Sequence, residues 1–165
     1  MFSVNDYVIY NSNGVYQIVD ICTEKDINHI DTEYYVLKPA FGTNLTIMTP
    51  VQNRKVLMRE VMTKEDILEL ISQIPDTETA WIDDARERST AFKNALRSGE
   101  GEKWVKLIKT IYIEQKEKTE SGKKLLKTDE EIMKAAEKNL NEEIAIALNI
   151  QPDEVPAFIS EQIDY

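Results

Sequence analysis

The chain has 165 residues and carries a net charge of −10, from 20 Lys and Arg against 30 Asp and Glu. That balance excludes free nucleic acid as a default partner, because phosphate binding relies on clustered cations. No apolar run approaches the roughly 18–20 residues of a membrane span, the start lacks the basic and apolar regions of a signal peptide, and a single cysteine, Cys22, fits a reducing, cytoplasmic setting.

Two β-rich runs, Tyr7–Tyr10 and Val15–Ile21, flank Asn11-Ser12-Asn13-Gly14. Asn13-Gly14 fits a tight reversal, since both residues tolerate positive φ. The polar stretch Thr23–Asp31 reads as a loop. Glu33–Lys38 is a strand rich in aromatic and branched residues, and Pro39–Asn44 turns the chain. Leu45–Thr49 reads as another strand, ended by Pro50. Four to five short strands in about 50 residues are best satisfied by a small closed or nearly closed barrel, which removes unpaired edges.

From Lys64 the period changes to that of helices. Ile67, Leu68, Leu70, Ile71 and Ile74 mark a short helix ending before Pro75. Trp81, Ala85, Phe92, Ala95 and Leu96 mark one face of a longer helix running to Gly99. Trp104, Leu107, Ile108, Ile111 and Tyr112 mark the next, broken at Thr119–Gly122. Thr128 with Glu131 resembles a capping box at the head of a helix lined by Ile132, Met133, Ala136, Leu140, Ile144, Ala147 and Leu148. A short last helix begins near Pro152. The expected fold is α+β, an SH3/Tudor-like β-barrel over residues 1–63 followed by an all-α domain over 64–165.

Residues 1–63 carry 5 basic and 7 acidic groups, and residues 64–165 carry 15 and 23. Within the acidic helical half, Lys103, Lys106, Lys109, Lys116, Lys118, Lys123, Lys124 and Lys127 form a locally basic band, which reads as a solvated face.

The residues for catalysis are missing. His29 is the one histidine and sits in a polar loop. Cys22 reads as a small buried apolar group at a strand end. No phosphate-binding glycine pattern occurs, and Asp83-Asp84 and Glu142-Glu143 fit solvated helix faces. Neither enzymatic activity nor a metal or cofactor is expected. Binding remains. Leu45, Thr46, Ile47, Met48 and Thr49 are the candidate partner strand, since Ile47 and Met48 cannot both point inward. Trp81, Arg86, Arg88 and Lys93 are the candidate DNA contacts, with Trp81 open to two readings, a core residue or an exposed wedge.

The opening Val4–Ile21, with its pattern hydrophobic-Asn-Asp-x-Val-hydrophobic-Tyr followed by Gly14-Val15, resembles the start of the CarD/CdnL family of bacterial transcription regulators. The resemblance extends through Tyr34-Tyr35-Val36-Leu37, the Leu45–Asn53 segment, the helix closed by Ser98-Gly99, the Trp104–Tyr112 helix, and Lys127–Met133 with Glu142-Glu143. It implies a Tudor-like N-terminal domain similar to the polymerase-interacting domain of the transcription-repair coupling factor, pairing with the β subunit of RNA polymerase. It also implies a helical domain at promoter DNA, where a tryptophan wedges into the minor groove and favours open complexes. This chain departs from the pattern in three places. The family's tryptophan position falls at Ala85, one turn after Trp81. Glu87 and Thr90 stand where basic residues are frequent, although Arg88 matches. Met48 replaces an arginine on the partner strand. Two functions stay open: a polymerase-tethered regulator acting as a monomer, and a two-module protein adaptor without DNA function.

Overall fold

Tyr7–Tyr10 (β1) and Val15–Lys25 (β2) pair antiparallel across the opening turn in this computed structural model, which describes residues 1–52 and 55–163. Positive φ falls on Asn11 (49°), Ser12 (55°) and Gly14 (104°), so the tight pair is Asn11-Ser12 and not Asn13-Gly14. Two successive positive-φ residues match the right-handed twist of the flanking strands. Asn13 N–H donates to the Tyr10 carbonyl at 3.1 Å and closes the turn.

β2 runs four residues beyond the expected Ile21. It pairs with Asp31–Pro39 (β3) into the stretch read as a loop. A two-stranded arm needs backbone bonds more than apolar side chains, so its polar composition hid it. Between Ile18 and Asp20 the register shifts, and Val19 is the extra residue of a bulge. The bulge lets Ile18 and Ile21, three apart, face the same core.

At the arm's tip the Asp26 carboxylate accepts from the N–H groups of Asn28 (2.8 Å) and Ile30 (3.0 Å) and from the Thr32 hydroxyl (3.3 Å). The Ile30 N–H leads in holding this carboxyl below its ordinary range. A depressed folded value means the turn's stabilisation is present above the ordinary carboxylate pKa of about 3.9 and is lost as pH falls through the folded value. Amide exchange at Asn28 and Ile30, normalised for its intrinsic pH dependence, is therefore expected to lose protection only at strongly acidic pH. In Asp26→Asn the protection should be low at every pH. His29 lies in this turn, exposed and with φ 61°.

Ile47–Pro50 (β4) and Met58–Glu60 (β5) complete a five-stranded antiparallel sheet of order β4-β3-β2-β1-β5. The two outermost strands are four and three residues long and do not pair with each other among the described residues, so the sheet is open and not a closed barrel. Its core is Val8, Tyr16, Ile18, Tyr35 and Leu37, joined by Phe2, Tyr10, Ile21, Ile47, Val51 and Met58. Cys22 lies inside β2, half-buried, and not at a strand end.

The chain divides into two units, Met1–Val61 and Met62–Tyr165. The second is all-helical: Lys64–Gln73 (α1), Ala85–Arg97 (α2), Gly101–Glu120 (α3), Lys127–Leu148 (α4) and Val155–Gln162 (α5), with short 3-10 turns before α5 and after α1. Thr63 and Asp66 cap α1 reciprocally. α4 starts at Lys127, so Thr128 lies inside its first turn and is not a cap. α4 is closed after Leu148 by Asn149, in the left-handed region. Phe92, Leu107, Ile111, Leu125, Ile132, Met133 and Ala136 form the core between α2, α3 and α4. Trp104 is fully buried, and its indole N–H donates to the Leu96 carbonyl at 2.9 Å. Among the described residues no helix is long and apolar enough to cross a membrane.

Candidate functional site

The first site is the β4 edge of the sheet. Among the described residues β4 pairs on one side only, with β3, in the register Tyr34↔Pro50, Tyr35↔Thr49, Val36↔Met48 and Leu37↔Ile47. Val51 N–H donates to the opposite Glu33 carbonyl at 3.0 Å. In an antiparallel ladder, directly opposed residues alternate between exchanging both bonds and exchanging none. The bonded pairs are thus Glu33/Val51, Tyr35/Thr49 and Leu37/Ile47. Met48 and Pro50 are the alternates, so the Met48 N–H and carbonyl point to the open side. Pro50 has no N–H to leave unpaired there, the position where a sheet tolerates proline.

Side chains follow the same alternation. Ile47 packs on the sheet core and Thr49 is 2% exposed, while Met48 is 42% exposed on the other face. Leu45 and Thr46 precede the strand, exposed and outside the ladder, so the strand begins two residues later than the sequence predicts. Pro39 closes β3, which pairs with β4 only from Tyr34 to Leu37, so β3 offers Leu45 and Thr46 no rung. Asn53, the last residue of the resembling segment, lies outside the described residues. On the Met48 face the register sets Val36 beside Met48 and Tyr34 beside Pro50, with Asp20 and Cys22 on the next strand. Burial, then the charges of Glu24 and Asp20, push the Cys22 thiol up, which lowers its thiolate fraction.

The second site surrounds Trp81. Asp84 caps α2 by accepting from Glu87 N–H at 2.8 Å, so the helix begins at Ala85 and Trp81 sits in the loop before it. The helical spacing of Trp81 to Ala85 and Phe92 is therefore not helical contact. Even so, the ring packs on the α2–α3–α4 core, half-buried, and meets Phe92 edge-on at 6.0 Å. The Arg88 guanidinium lies 4.3 Å from the ring centroid and Lys118 Nζ 5.8 Å.

Arg88 is 5% exposed. Its Nε and Nη2 donate to Asp129 at 3.1 and 2.9 Å, and its Nη1 donates to the carbonyls of Ile82 and Asp83 at 2.9 and 3.2 Å. It is an internal strut and not a surface cation. Arg86 and Lys93 are exposed on α2. In the lysine band, Lys106, Lys116, Lys123 and Lys124 are exposed, and Lys103 and Lys127 are exposed with Glu100 and Glu131 at 2.8 and 4.0 Å. Lys109 is different: its ammonium donates to the carbonyls of Ile74, Pro75 and Thr77 and ties the end of α1 to α3. Sequence reasoning missed Asp129, whose partner is 41 residues away and signalled by nothing local.

No group of His, Cys, Asp and Glu among the described residues has the arrangement to hold a metal ion. Residues 2–62 match the family model described as the CarD-like/TRCF RID domain. No curated protein matches the chain.

Proposed function

We propose, from an N-terminal unit that belongs to the CarD-like/TRCF RID family of RNA polymerase-interacting domains, that this chain is a non-enzymatic, cytoplasmic transcription regulator that docks on the β subunit of bacterial RNA polymerase. The β4 edge is the docking strand. One observation carries this: a strand edge unpaired among the described residues, with the Met48 N–H and carbonyl turned outward, lies inside the matched residues. A strand from the partner adds there by main-chain bonds, and the exposed Met48 side chain supplies an apolar contact. The test is pull-down of a β-lobe fragment by the tagged full chain. Failure to capture the fragment would refute it.

The helical unit then acts as a monomeric arm at promoter DNA, favouring open complexes through Trp81. Arg86 and Lys93 are exposed cations on α2, the helix that follows that loop. With a net charge of −10 and few such cations, binding to free duplex is expected to be weak. The slope of log K against log salt should be no steeper than about −2, the value for two phosphate contacts. A promoter fragment titrated at two salt concentrations gives that slope, and tight binding without polymerase would contradict it.

A second reading, an adaptor that binds polymerase without DNA function, is favoured by one observation: the Trp81 ring is half-buried on its own core. Trp81→Ala separates the two. A DNA wedge requires weaker promoter opening by the folded variant, whereas an adaptor requires unchanged promoter opening with lost stability.

A further inference from the structure

We infer that Arg88 is the positioning residue for Trp81 and that Asp129 fixes Arg88 in turn. The inference rests on the reading that Trp81 meets promoter DNA and adds how its ring is presented.

The loop from Thr77 to Asp84 has no helical bonds of its own around Trp81. Its main chain is tied on both sides of the tryptophan. Ala80 N–H donates to the Thr110 hydroxyl at 3.2 Å, and the carbonyls of Ile82 and Asp83 accept from Arg88. The same guanidinium lies 4.3 Å from the Trp81 centroid, with Phe92 at its edge. One side chain therefore sets both the backbone after Trp81 and the plane of its ring.

Arg88 has this reach because Asp129, from the first turn of α4, accepts two of its N–H groups in a bidentate pair. A lysine cannot replace it. Its ammonium is a point charge without the planar fork that serves a carboxylate, two carbonyls and a ring at once. An unpositioned ring still binds, but it must first be ordered, and that ordering weakens the contact it makes.

The test uses the full chain labelled with 5-fluorotryptophan, whose two resonances report Trp81 and the fully buried Trp104 separately. In Arg88→Lys the Trp81 resonance should move toward the solvent-exposed value while that of Trp104 stays. Promoter opening with polymerase should fall about two- to fivefold, the range expected for one cation–π contact. On a Trp81→Ala background, Arg88→Lys should cost no further opening. Asp129→Asn gives the same comparison should the lysine variant not fold. An unmoved Trp81 resonance in a folded variant overturns the positioning role, as does a penalty that persists without Trp81. Full promoter opening by Trp81→Ala removes the DNA reading itself, and this inference with it.

Discussion

Met48→Pro is expected to leave the sheet folded and to lower capture of the polymerase β lobe more than tenfold. The Met48 N–H is not used by β3, since the bonded rungs are Tyr35/Thr49 and Leu37/Ile47. Proline at this position removes a donor the fold does not spend. An incoming strand does spend it. Its carbonyl is left unsatisfied at a closing interface, which costs about 1–3 kcal/mol, and the pyrrolidine ring blocks close approach. At about 1.4 kcal/mol per decade, the lost bond alone gives a drop of about five- to hundredfold, and the blocked approach carries it past tenfold. Met48→Glu should act in the same direction by placing a charge in the contact. Thr49→Pro is the opposite control: it removes a bonded rung of a buried residue and should loosen the sheet edge itself. Circular dichroism beside the pull-down separates these outcomes. Undiminished capture by folded Met48→Pro would move the docking surface elsewhere.

The same alternation shows what the sequence holds and where it falls short. That Ile47 and Met48 face opposite ways follows from the period of two, and the sequence carried it; which of them turns inward is supplied by packing on the sheet core. The side of Met48 that faces the open edge does not follow, because hydrogen-bond parity is set by β3, not by β4. The bulge at Val19 is visible afterwards in the spacing Tyr16, Ile18, Ile21, where strict alternation would have put Asp20 in the core. β5 has three residues and no readable period. The helical half was easier, since each core face repeats over two turns or more. Its errors lie at helix starts. Asp84 followed by Glu87 is a capping signal in the sequence, and heeding it would have ended the apolar stripe at Ala85 and released Trp81 into the loop. The lysines tell a similar story. Composition made Lys109 and Lys118 part of one solvated band, but Lys109 closes three carbonyls and Lys118 approaches an indole. Arg88 was the converse case, a cation read as a surface contact whose partner only tertiary packing supplies.

That buried pair sets a large stability effect for a single substitution. The Arg88 and Asp129 side chains are 6% and 4% exposed, joined at 2.9 and 3.1 Å. Arg88→Met should cost about 3–5 kcal/mol, because the Asp129 carboxylate is left buried without its counter-charge. For a unit of this size each kcal/mol lowers the melting temperature by about 4–8 °C, so the transition should fall by well over ten degrees. Asp129→Leu should cost a similar amount by stranding the guanidinium, reduced by the two carbonyls that Arg88 keeps at Ile82 and Asp83. The double variant is the decisive one. Replacing both charges with apolar groups removes the desolvation cost together with the attraction, so its loss should be far smaller than the sum of the two singles. Melts of the wild type, the two singles and the double close the cycle. Additive losses would show that each side chain is held by other contacts and that the pair is not the strut of the helical unit. A non-additive cycle with Trp81 still half-buried would separate the stabilising part of the pair from its hold on the ring, since the methionine of Arg88→Met retains bulk beside the indole but has no fork.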